Sequence, residues 1–453
     1  MKEKPKTSVG NRWLHVLVPL LFCVWLGVPA SAGAATLKEC IQTALASNPD
    51  IQAALAHIDA ARFMTGKARS AHYPRLSVRG GYSATNNPTQ AFMMTLNQRE
   101  LDMASPAFDP NEPDDTDNVR LSLDMQYRLY NKGVDAIRVR MAETGREARE
   151  LQLSAVRNAL IYQVIRGYYA LLQAQSFVGV QTASINSLEE NLRVAQARYR
   201  AGSAVKTDVL NLEVKLAQAR EDLIRAENSV KIAIASLNTI IGTPLVSTDG
   251  IPVPVQEDIQ PPVLEKSEHS IENRPELKAA RKAAFLKEQA YKRERRSVHP
   301  TLNAFGSYDF DSGDFNDFED SYLVGMLAEW DIFAGFQRQN GIQAARADWE
   351  AARRETVKME NALRLDLHQA CLGADEAWQR LQVTKKSVES AREALRITRV
   401  QYKEGAADIT VLLTAQVGLT AQQTRDVAAY YDYVTAVANV QRAQGGLVAQ
   451  YAP

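Results

Sequence analysis

The chain has 453 residues, 45% hydrophobic and 23% charged, so it is neither disordered nor collagen-like and has enough apolar content to bury a sizeable core. Its 53 basic residues balance its 53 acidic residues, which excludes the basic excess typical of nucleic-acid-binding proteins. Three cysteines are too few for a disulfide framework at this length.

The N-terminal segment, residues 1–32, has the order of a secretory signal peptide. Four basic residues precede the apolar run WLHVLVPLLFCVWLGV, and the small-residue stretch PASAGAA follows it. We expect cleavage after Ala32, where small side chains occupy the −3 and −1 positions. The alternative is an uncleaved membrane anchor, which the short apolar run disfavours. Two cysteines, Cys40 and Cys371, would remain in the exported chain, and we predict that both are isolated thiols on helices.

One structural unit occurs twice in the chain. Residues 48–83 align with 274–309 at an offset of 226, whereas the sequence from Tyr127 onward aligns with the second half at an offset of 203. The first copy therefore has 23 additional residues between Tyr82 and Tyr127. We predict a signal peptide (1–32), a first repeat (33–242), a Pro-rich connector (243–272), a second repeat (273–446) and a short C-terminal tail (447–453).

Long helices are expected in both repeats. Proline is absent from 114–243 and from 301–452, where good helix formers dominate. Residues 137–200 fit one helix of roughly 95 Å, at 1.5 Å per residue. The returning arm, 206–241, has apolar residues at alternating steps of three and four, which is the heptad pattern of a coiled coil. The equivalent seam in the second copy is poorer, because Gln422 and Asp426 occupy apolar positions.

The hydrophobic period changes from 3.6 to 2 after Pro74 and Pro300, which predicts two β-hairpins at about 76–130 and 302–333. The clearest strand is VRLSLDMQYRLY, residues 119–130, whose apolar and polar side chains alternate. Its length is near that of a tilted strand that crosses a bilayer. Aromatic residues of these hairpins would form the interfacial belts of a membrane barrel. They are Tyr82, Tyr127, Tyr130, Tyr308, Phe310, Trp330 and Phe333.

The hairpin loops, 86–118 and 311–320, are polar, acidic and unequal in length, and we place the 23 additional residues in the first loop. Two hairpins make four strands, which cannot close a barrel around a channel. Open strand edges cannot face lipid either, because their N–H and C=O groups would have no partners. Several chains must therefore pool their strands. Three chains would give twelve, and the strand count leaves two or four chains open.

Two helix corners repeat the same motif, RYRAGSAVKTDVL at 198–210 and QYKEGAADITVLL at 401–413. Together with the opening stretch TLKECIQTALASNPDIQAA (36–54) and the closing stretch 400–445, they resemble the TolC family of outer-membrane efflux and secretion proteins over essentially the whole mature length. The resemblance implies a mainly α fold with a membrane β-barrel portion. In that fold, a tandem repeat of long coiled-coil helices and two hairpins forms a homotrimer with a twelve-stranded barrel and an α-helical tunnel.

The resemblance also implies a function and partners. The protein would be the passive exit duct of a tripartite efflux or type I secretion system in the outer membrane of a Gram-negative bacterium. Its tunnel would cross the periplasm, with the connector at the equator. A periplasmic adaptor (membrane fusion) protein and an inner-membrane pump of the RND or ABC type would be its partners, with outer-membrane lipid around the barrel.

The corners would lie at the periplasmic tip, where members of this family carry adaptor contacts and the groups that hold the entrance shut. Gly202 and Gly405 suit such corners because glycine adopts a positive φ at little cost. The second corner departs from the family pattern at Val411 and Thr414, where some relatives have aspartates, and leaves Asp408 as the nearby acid. The matching tip residues are Tyr199, Gly202, Thr207, Asp208, Tyr402, Gly405, Asp408 and Thr410.

We predict no catalysis, no cofactor and no metal. The six histidines form no HExxH motif, and no GxGxxG, Walker or GxSxG string occurs. His368 and Cys371 share a helix face without a further nearby ligand, and the basic cluster 291–299 fits a solvated helix face better than a nucleic-acid site. The alternative from another class is a soluble periplasmic coiled-coil adaptor, which would need flanking lipoyl-like and small barrel domains that the sequence does not contain.

Overall fold

The computed structural model describes residues 36–104, 111–247 and 268–451, together with the single residues 109 and 261. The predicted signal peptide and most of the predicted connector lie outside these residues. The helices are α1 (Leu37–Ser47), α2 (Pro49–Arg69), α3 (Pro88–Asn97), α4 (Val134–Arg200), α5 (Lys206–Ile241), α6 (Pro275–Arg296), α7 (Gln337–Glu404), α8 (Ile409–Gln444) and α9 (Leu447–Tyr451). The strands are β1 (Arg75–Thr85), β2 (Thr116–Tyr130), β3 (Thr301–Ser312) and β4 (Glu319–Glu329).

Each half of the chain runs through a helix, a hairpin, a very long helix and a returning helix. The predicted long helix at 137–200 is confirmed as part of α4, whose 67 residues span about 100 Å. The interrupted seam of the second copy is present as well, since Asp426 on α8 accepts a hydrogen bond of 2.9 Å from Thr384 Oγ1 on α7. In the described part of the chain, no helix is both long and apolar enough to cross a membrane.

The helices lie side by side in a fixed order. α2 and α5 pack on one flank of α4, α6 and α8 pack on its other flank, and α7 packs against α6 and α8. The order is therefore α2 with α5, then α4, then α6 with α8, then α7. This arrangement leaves two free edges, one formed by α2 and α5 and the other by α7.

End-to-end joints turn α5 and α2 into one column, and α8 and α6 into another. At the first joint, Asn48 Nδ2 donates to the carbonyl of Ile240 over 2.8 Å. At the equivalent position of the second copy, Arg274 Nη1 donates to the carbonyl of Ala443 over 3.0 Å and pairs with Asp366 at 2.9 Å. Both joints satisfy carbonyl groups that the last turn of a helix leaves without a partner. Asn48 also caps α2, and Pro49 is its first residue.

The four strands form one antiparallel sheet in the order β1-β2-β3-β4. Its register places the apolar side chains of β2 on one face together with those of the other strands. This face is exposed, although its residues are large and apolar. The opposite face carries ion pairs between Arg79 and Asp124 and, at 2.7 Å, between Arg120 and Asp311. The exposed apolar face includes Leu76, Val78, Tyr82, Leu121, Leu123, Met125, Tyr308, Tyr322, Val324 and Met326.

The structure differs from the sequence prediction at three places. The first hairpin loop contains the helix α3, which starts at Pro88 behind the capping side chain of Asn87. β4 ends at Glu329, four residues before the predicted end of the hairpin, and Trp330 instead donates from Nε1 to the carbonyl of Val298 over 3.1 Å. The predicted C-terminal tail contains α9, whose Leu447 is buried.

Within the described chain, Cys40 on α1 and Cys371 on α7 form no disulfide and are buried, in agreement with the prediction of isolated thiols on helices. Burial, with a further contribution from the charge of Glu39, raises the pKa of the Cys40 thiol to about 11. The reactive species of cysteine is the thiolate, so Cys40 is inert toward thiol reagents at neutral pH.

Candidate functional site

The two helix corners end their helices in the same way. Gly202 has a φ of 75° and Gly405 a φ of 79°, and in both cases this left-handed residue lets the chain reverse. Around Gly202, the amide of Ser203 donates to the carbonyl of Arg198 over 2.9 Å, and around Gly405 the amide of Ala406 donates to the carbonyl of Gln401 over 2.8 Å. These bonds satisfy the last carbonyls of α4 and α7. The predicted corner glycines are therefore confirmed as left-handed turns.

Both corners of one chain share a single hydrophobic cluster. Apolar side chains from all four helices close the end of the bundle, so that the corners are fixed side by side. Among its buried members are Leu188, Ala195, Leu212, Leu395, Tyr402, Ile409 and Leu412.

One arginine, Arg198, joins the first corner to the second. Its Nη1 donates to the carbonyl of Tyr402, and its Nη2 donates to the carbonyl of Ser203 over 3.3 Å. Its guanidinium also lies over the ring of Tyr402, 5.1 Å from the centroid, which is within the range of a cation–π interaction. Arg198 is not among the predicted tip residues. The available signal was an asymmetry between the copies, because Gln401 occupies the equivalent position of the second corner.

The equivalent tyrosines of the two corners occupy different environments. Tyr402 is 3% exposed, whereas Tyr199 is 46% exposed. The hydroxyl of Tyr402 is buried without a hydrogen-bond partner in the structure. Burial raises the pKa of Tyr402, the negative charge of Asp208 raises it further, and the positive charge of Arg198 opposes this shift. Tyr402 therefore stays neutral and anchors the end of α7 in the cluster.

The predicted acidic residues stand at the starts of the returning helices. Asp408 is the N-cap of α8, where its carboxylate accepts a hydrogen bond of 3.0 Å from the amide of Val411. Asp208 lies in the first turn of α5, where a negative charge is favourable at the positive end of the helix dipole. Thr207 and Thr410 are exposed beside them. Each returning helix thus begins with one acid close to one exposed threonine, but the two acids occupy different positions.

The candidate belt aromatics fall into two bands on the sheet. Tyr82, Tyr308 and Phe310 lie near the loop end, and Tyr308 contacts Phe310 edge to face at 5.1 Å. The second band lies near the helix end, with Tyr130 at the end of β2 and Trp330 just after β4. Tyr82 pairs with Val119, eleven residues of β2 before Tyr130, which corresponds to about 28 Å across a bilayer for a strand tilted by about 40°. Tyr127 lies between the two bands, and Phe333 follows Trp330 beyond the end of β4.

Within the described ranges, no group of three His, Cys, Asp or Glu side chains could hold a metal ion. The corners combine glycine turns, exposed threonines, helix-bound carboxylates and an arginine bridge. Exposed threonines and carboxylates are groups that can bind another protein surface, and the arginine bridge holds the two corners together.

A family model described as outer membrane efflux protein matches residues 40–243 and 267–446. The chain belongs to this family. The outer membrane protein TolC of Vibrio cholerae serotype O1 is 23% identical over 96% of each chain. The alkaline protease secretion protein AprF of Pseudomonas aeruginosa is 24% identical over 88% of this chain and 82% of its own. The Campylobacter jejuni CmeC outer membrane channel has the same fold, with a TM-score of 0.78 at 16% identity over 90% of this chain and 85% of its own.

These matches confirm the predicted fold class, the outer-membrane location and the function class of an efflux or secretion channel. They do not favour the alternative of a soluble adaptor, since both repeats match the channel family. The individual corner and belt residues stay predictions.

The bridge made by Arg198 leads to a first prediction. Replacing Arg198 with alanine removes a charge-assisted hydrogen bond and a cation–π contact, worth together about 2 kcal/mol. We expect amide hydrogen exchange in residues 402–407 to accelerate roughly tenfold or more, because each 1.4 kcal/mol changes a population tenfold. Arg193→Ala is the matched control, since Arg193 pairs with Glu190 on α4 itself. Equal exchange in both variants would show that Arg198 does not hold the corners together.

Proposed function

We propose that this protein is the outer-membrane exit duct of a tripartite efflux or type I secretion system, a passive conduit without catalysis that opens at the paired corners. The observation that carries the proposal is a sheet with the polarity of a membrane wall. Its apolar face is exposed, and its polar face holds ion pairs. A soluble protein would bury the apolar face, whereas a membrane barrel turns it toward lipid and lines its lumen with the polar face.

The edges of the sheet favour assembly with further copies. β1 and β4 are the outer strands, and each presents one unpaired row of backbone N–H and C=O groups. Lipid offers no hydrogen bonds, so each edge needs a strand from another molecule. The edge of β4 in one copy and the edge of β1 in the next are the two surfaces available for this pairing.

The free helix edges carry apolar stripes that match this arrangement. On α5, the exposed apolar side chains form a stripe roughly 160° around the helix from the apolar side chains that α5 buries, at 100° per residue. The exposed and buried apolar side chains of α7 are arranged in the same way. In a ring of twelve helical columns, the two neighbours of a column are about 150° apart. The α5 stripe consists of Leu210, Val214, Ile224 and Ile232, and the α7 stripe of Val357, Leu365, Leu372, Val383, Ile397 and Val400.

The central helices lack such stripes. In the described chain, the large exposed apolar residues of α4, α6 and α8 are Tyr199, Val411 and Val417, all toward the corner end. The apolar surface therefore concentrates on the edges that a ring would close. This contrast supports contact between α7 of one copy and α5 of the next.

Three copies, paired through these strand and helix edges, would form a duct. Two copies would give eight strands. Side chains fill the interior of a barrel of that size, which leaves no channel. Three copies give twelve strands, which at about 4.8 Å spacing and 40° tilt enclose a barrel about 24 Å across between backbones. The resemblance to the TolC family favours three over four. We therefore propose a homotrimer with twelve strands and twelve helical columns, and with the two aromatic bands at the lipid interfaces.

The partners follow from the proposed role. A passive duct needs an energy source elsewhere, so we propose an inner-membrane pump of the RND or ABC type and a periplasmic adaptor that docks on the corners. AprF is named for alkaline protease secretion, which is a property of that relative. Exposed groups available to an adaptor are Tyr199 and Thr207 in the first corner and Asp408 and Thr410 in the second. Asp208 in the first corner is half-buried.

The trimer has a direct test by crosslinking. Ile224 lies 18 residues after the start of α5 and Val383 lies 21 residues before the end of α7, so both stand at similar heights above the corners. We expect oxidation of an Ile224→Cys/Val383→Cys variant to give a ladder that ends at three chains. Gln382→Cys replaces Val383→Cys in the control, because the neighbouring side chain points about 100° away from the stripe. A ladder ending at two or four chains would refute the trimer.

The gate is tested by closing it. Cysteines placed near Thr207 and Thr410 should crosslink the corners in the closed position. In planar bilayers, we expect oxidation to abolish the ion conductance of this variant and a reducing agent to restore it. The single-cysteine variants should conduct under both conditions. Unchanged conductance after complete crosslinking would place the gate elsewhere along the duct.

A further inference from the structure

The first hairpin loop folds back over the polar face of the sheet. Gln98 follows directly after α3, and its Nε2 donates to Asn118 Oδ1 over 2.9 Å and to the carbonyl of Asp117 over 2.7 Å. Asn118 lies two residues before Arg120 on β2, so both side chains point to the polar face of the sheet. The end of α3 is thus attached to the side of the sheet that carries the ion pairs.

A buried polar chain continues from this attachment. Asn118 Nδ2 donates to Asp311 Oδ1 over 2.7 Å, and Asp311 also accepts from Arg120 Nε over 2.7 Å. Asn118 is 3% exposed and Asp311 is 1% exposed. Gln98 is buried as well, so the bonds from Gln98 to Asn118 and from Asn118 to Asp311 are protected from water and costly to break.

The loop also crosses the sheet to its far edge. Arg99 adopts a left-handed conformation with a φ of 56°, pairs with Glu319 at 2.6 Å and donates to the carbonyl of Asp320 over 3.2 Å. Both partners lie at the start of β4. This ion pair is exposed and therefore contributes less than the buried chain. The segment after α3 accordingly runs across the end of the sheet from β2 to β4.

From this geometry we propose that α3 and residues 98–100 form a lid that narrows the outer mouth of the duct and limits the width of the molecules that leave. The proposal rests on the proposed function, because the polar face is the lumen only in a membrane barrel. A helix with side chains is about 10 Å thick, and three such lids occupy most of a lumen about 24 Å across. The short connection 313–318 of the second hairpin holds no comparable element.

The lid lies in the loop that holds the additional residues of the first repeat. β1 and β2 are joined by residues 86–115, whereas β3 and β4 are joined by 313–318. The difference in length between the two copies therefore lies at the exit. Gly313 contacts the lid closely, since a Cβ there would stand 3.4 Å from Gln98 Oε1 and from Glu100 Oε2.

The test measures access from outside the cell and does not depend on the corners. Ser77→Cys places a thiol on the polar face of β1 and Val78→Cys places one on the apolar face. Intact cells receive either a small membrane-impermeant maleimide or a maleimide that carries a long polyethylene glycol chain. With the native loop, we expect the small reagent to label Ser77→Cys and the long-chain reagent to be excluded. The native thiols are buried and stay silent.

Two changes should admit the long-chain reagent. Deletion of residues 88–97 removes the lid, and Gln98→Ala with Arg99→Ala detaches it while keeping its length. Because labelling follows the population of the open lid, we expect its rate to rise roughly tenfold for each 1.4 kcal/mol of attachment removed. Arg99→Glu should admit the reagent to a smaller extent, and adding Glu319→Arg should restore exclusion by rebuilding the ion pair.

The outcomes separate the lid from the proposed function. Labelling of Ser77→Cys by the long-chain reagent at the same rate with and without α3 would overturn the lid alone. So would exclusion of that reagent after the deletion, which would place the constriction elsewhere. If the small reagent labelled Ser77→Cys and Val78→Cys equally, the polar face would not be a lumen, and the proposed function and the lid would both fail.

Discussion

The proposed assembly depends on the unpaired backbone groups at the edges of one small sheet. The apolar face of the sheet requires lipid, and lipid cannot satisfy the open N–H and C=O groups of β1 and β4. Neither requirement is met by a single chain. Strand pairing between copies meets both at once, and the edge helices α5 and α7 carry apolar stripes on the sides that such pairing brings together. The assembly of the helices thus follows from the hydrogen-bonding requirement of the strands.

A repeated design gives this assembly its regularity, and small departures from the repeat give it function. The joints at Asn48 and Arg274 perform the same task with different chemistry, an amide in one copy and a guanidinium with two carboxylates in the other. At the corners, only the first copy has Arg198, which reaches across to the second. At the exit, only the first copy has α3. The two ends of the duct are the places where the copies diverge most.

The long elements could be predicted from the sequence because their periodicity extends over tens of residues. The 67 residues of α4 and the alternation of β2 leave no other assignment. The helix α3 was missed because ten residues in a polar loop show no clear period, and the Asn87-Pro88 capping signal was its only marker. The bridge from Arg198 to Tyr402 joins residues 204 positions apart, so no local pattern reveals it. The capping role of Asp408 likewise depends on geometry at the helix start.

Native mass spectrometry of the mature protein, extracted from outer membranes into detergent, tests the central claim most directly. A closed wall of pooled strands predicts a single species with the mass of three chains, which stays assembled until the detergent or the fold is removed. A monodisperse monomer that stays in solution without detergent would contradict the account. In that case the exposed apolar face of the sheet would have to be covered within one chain.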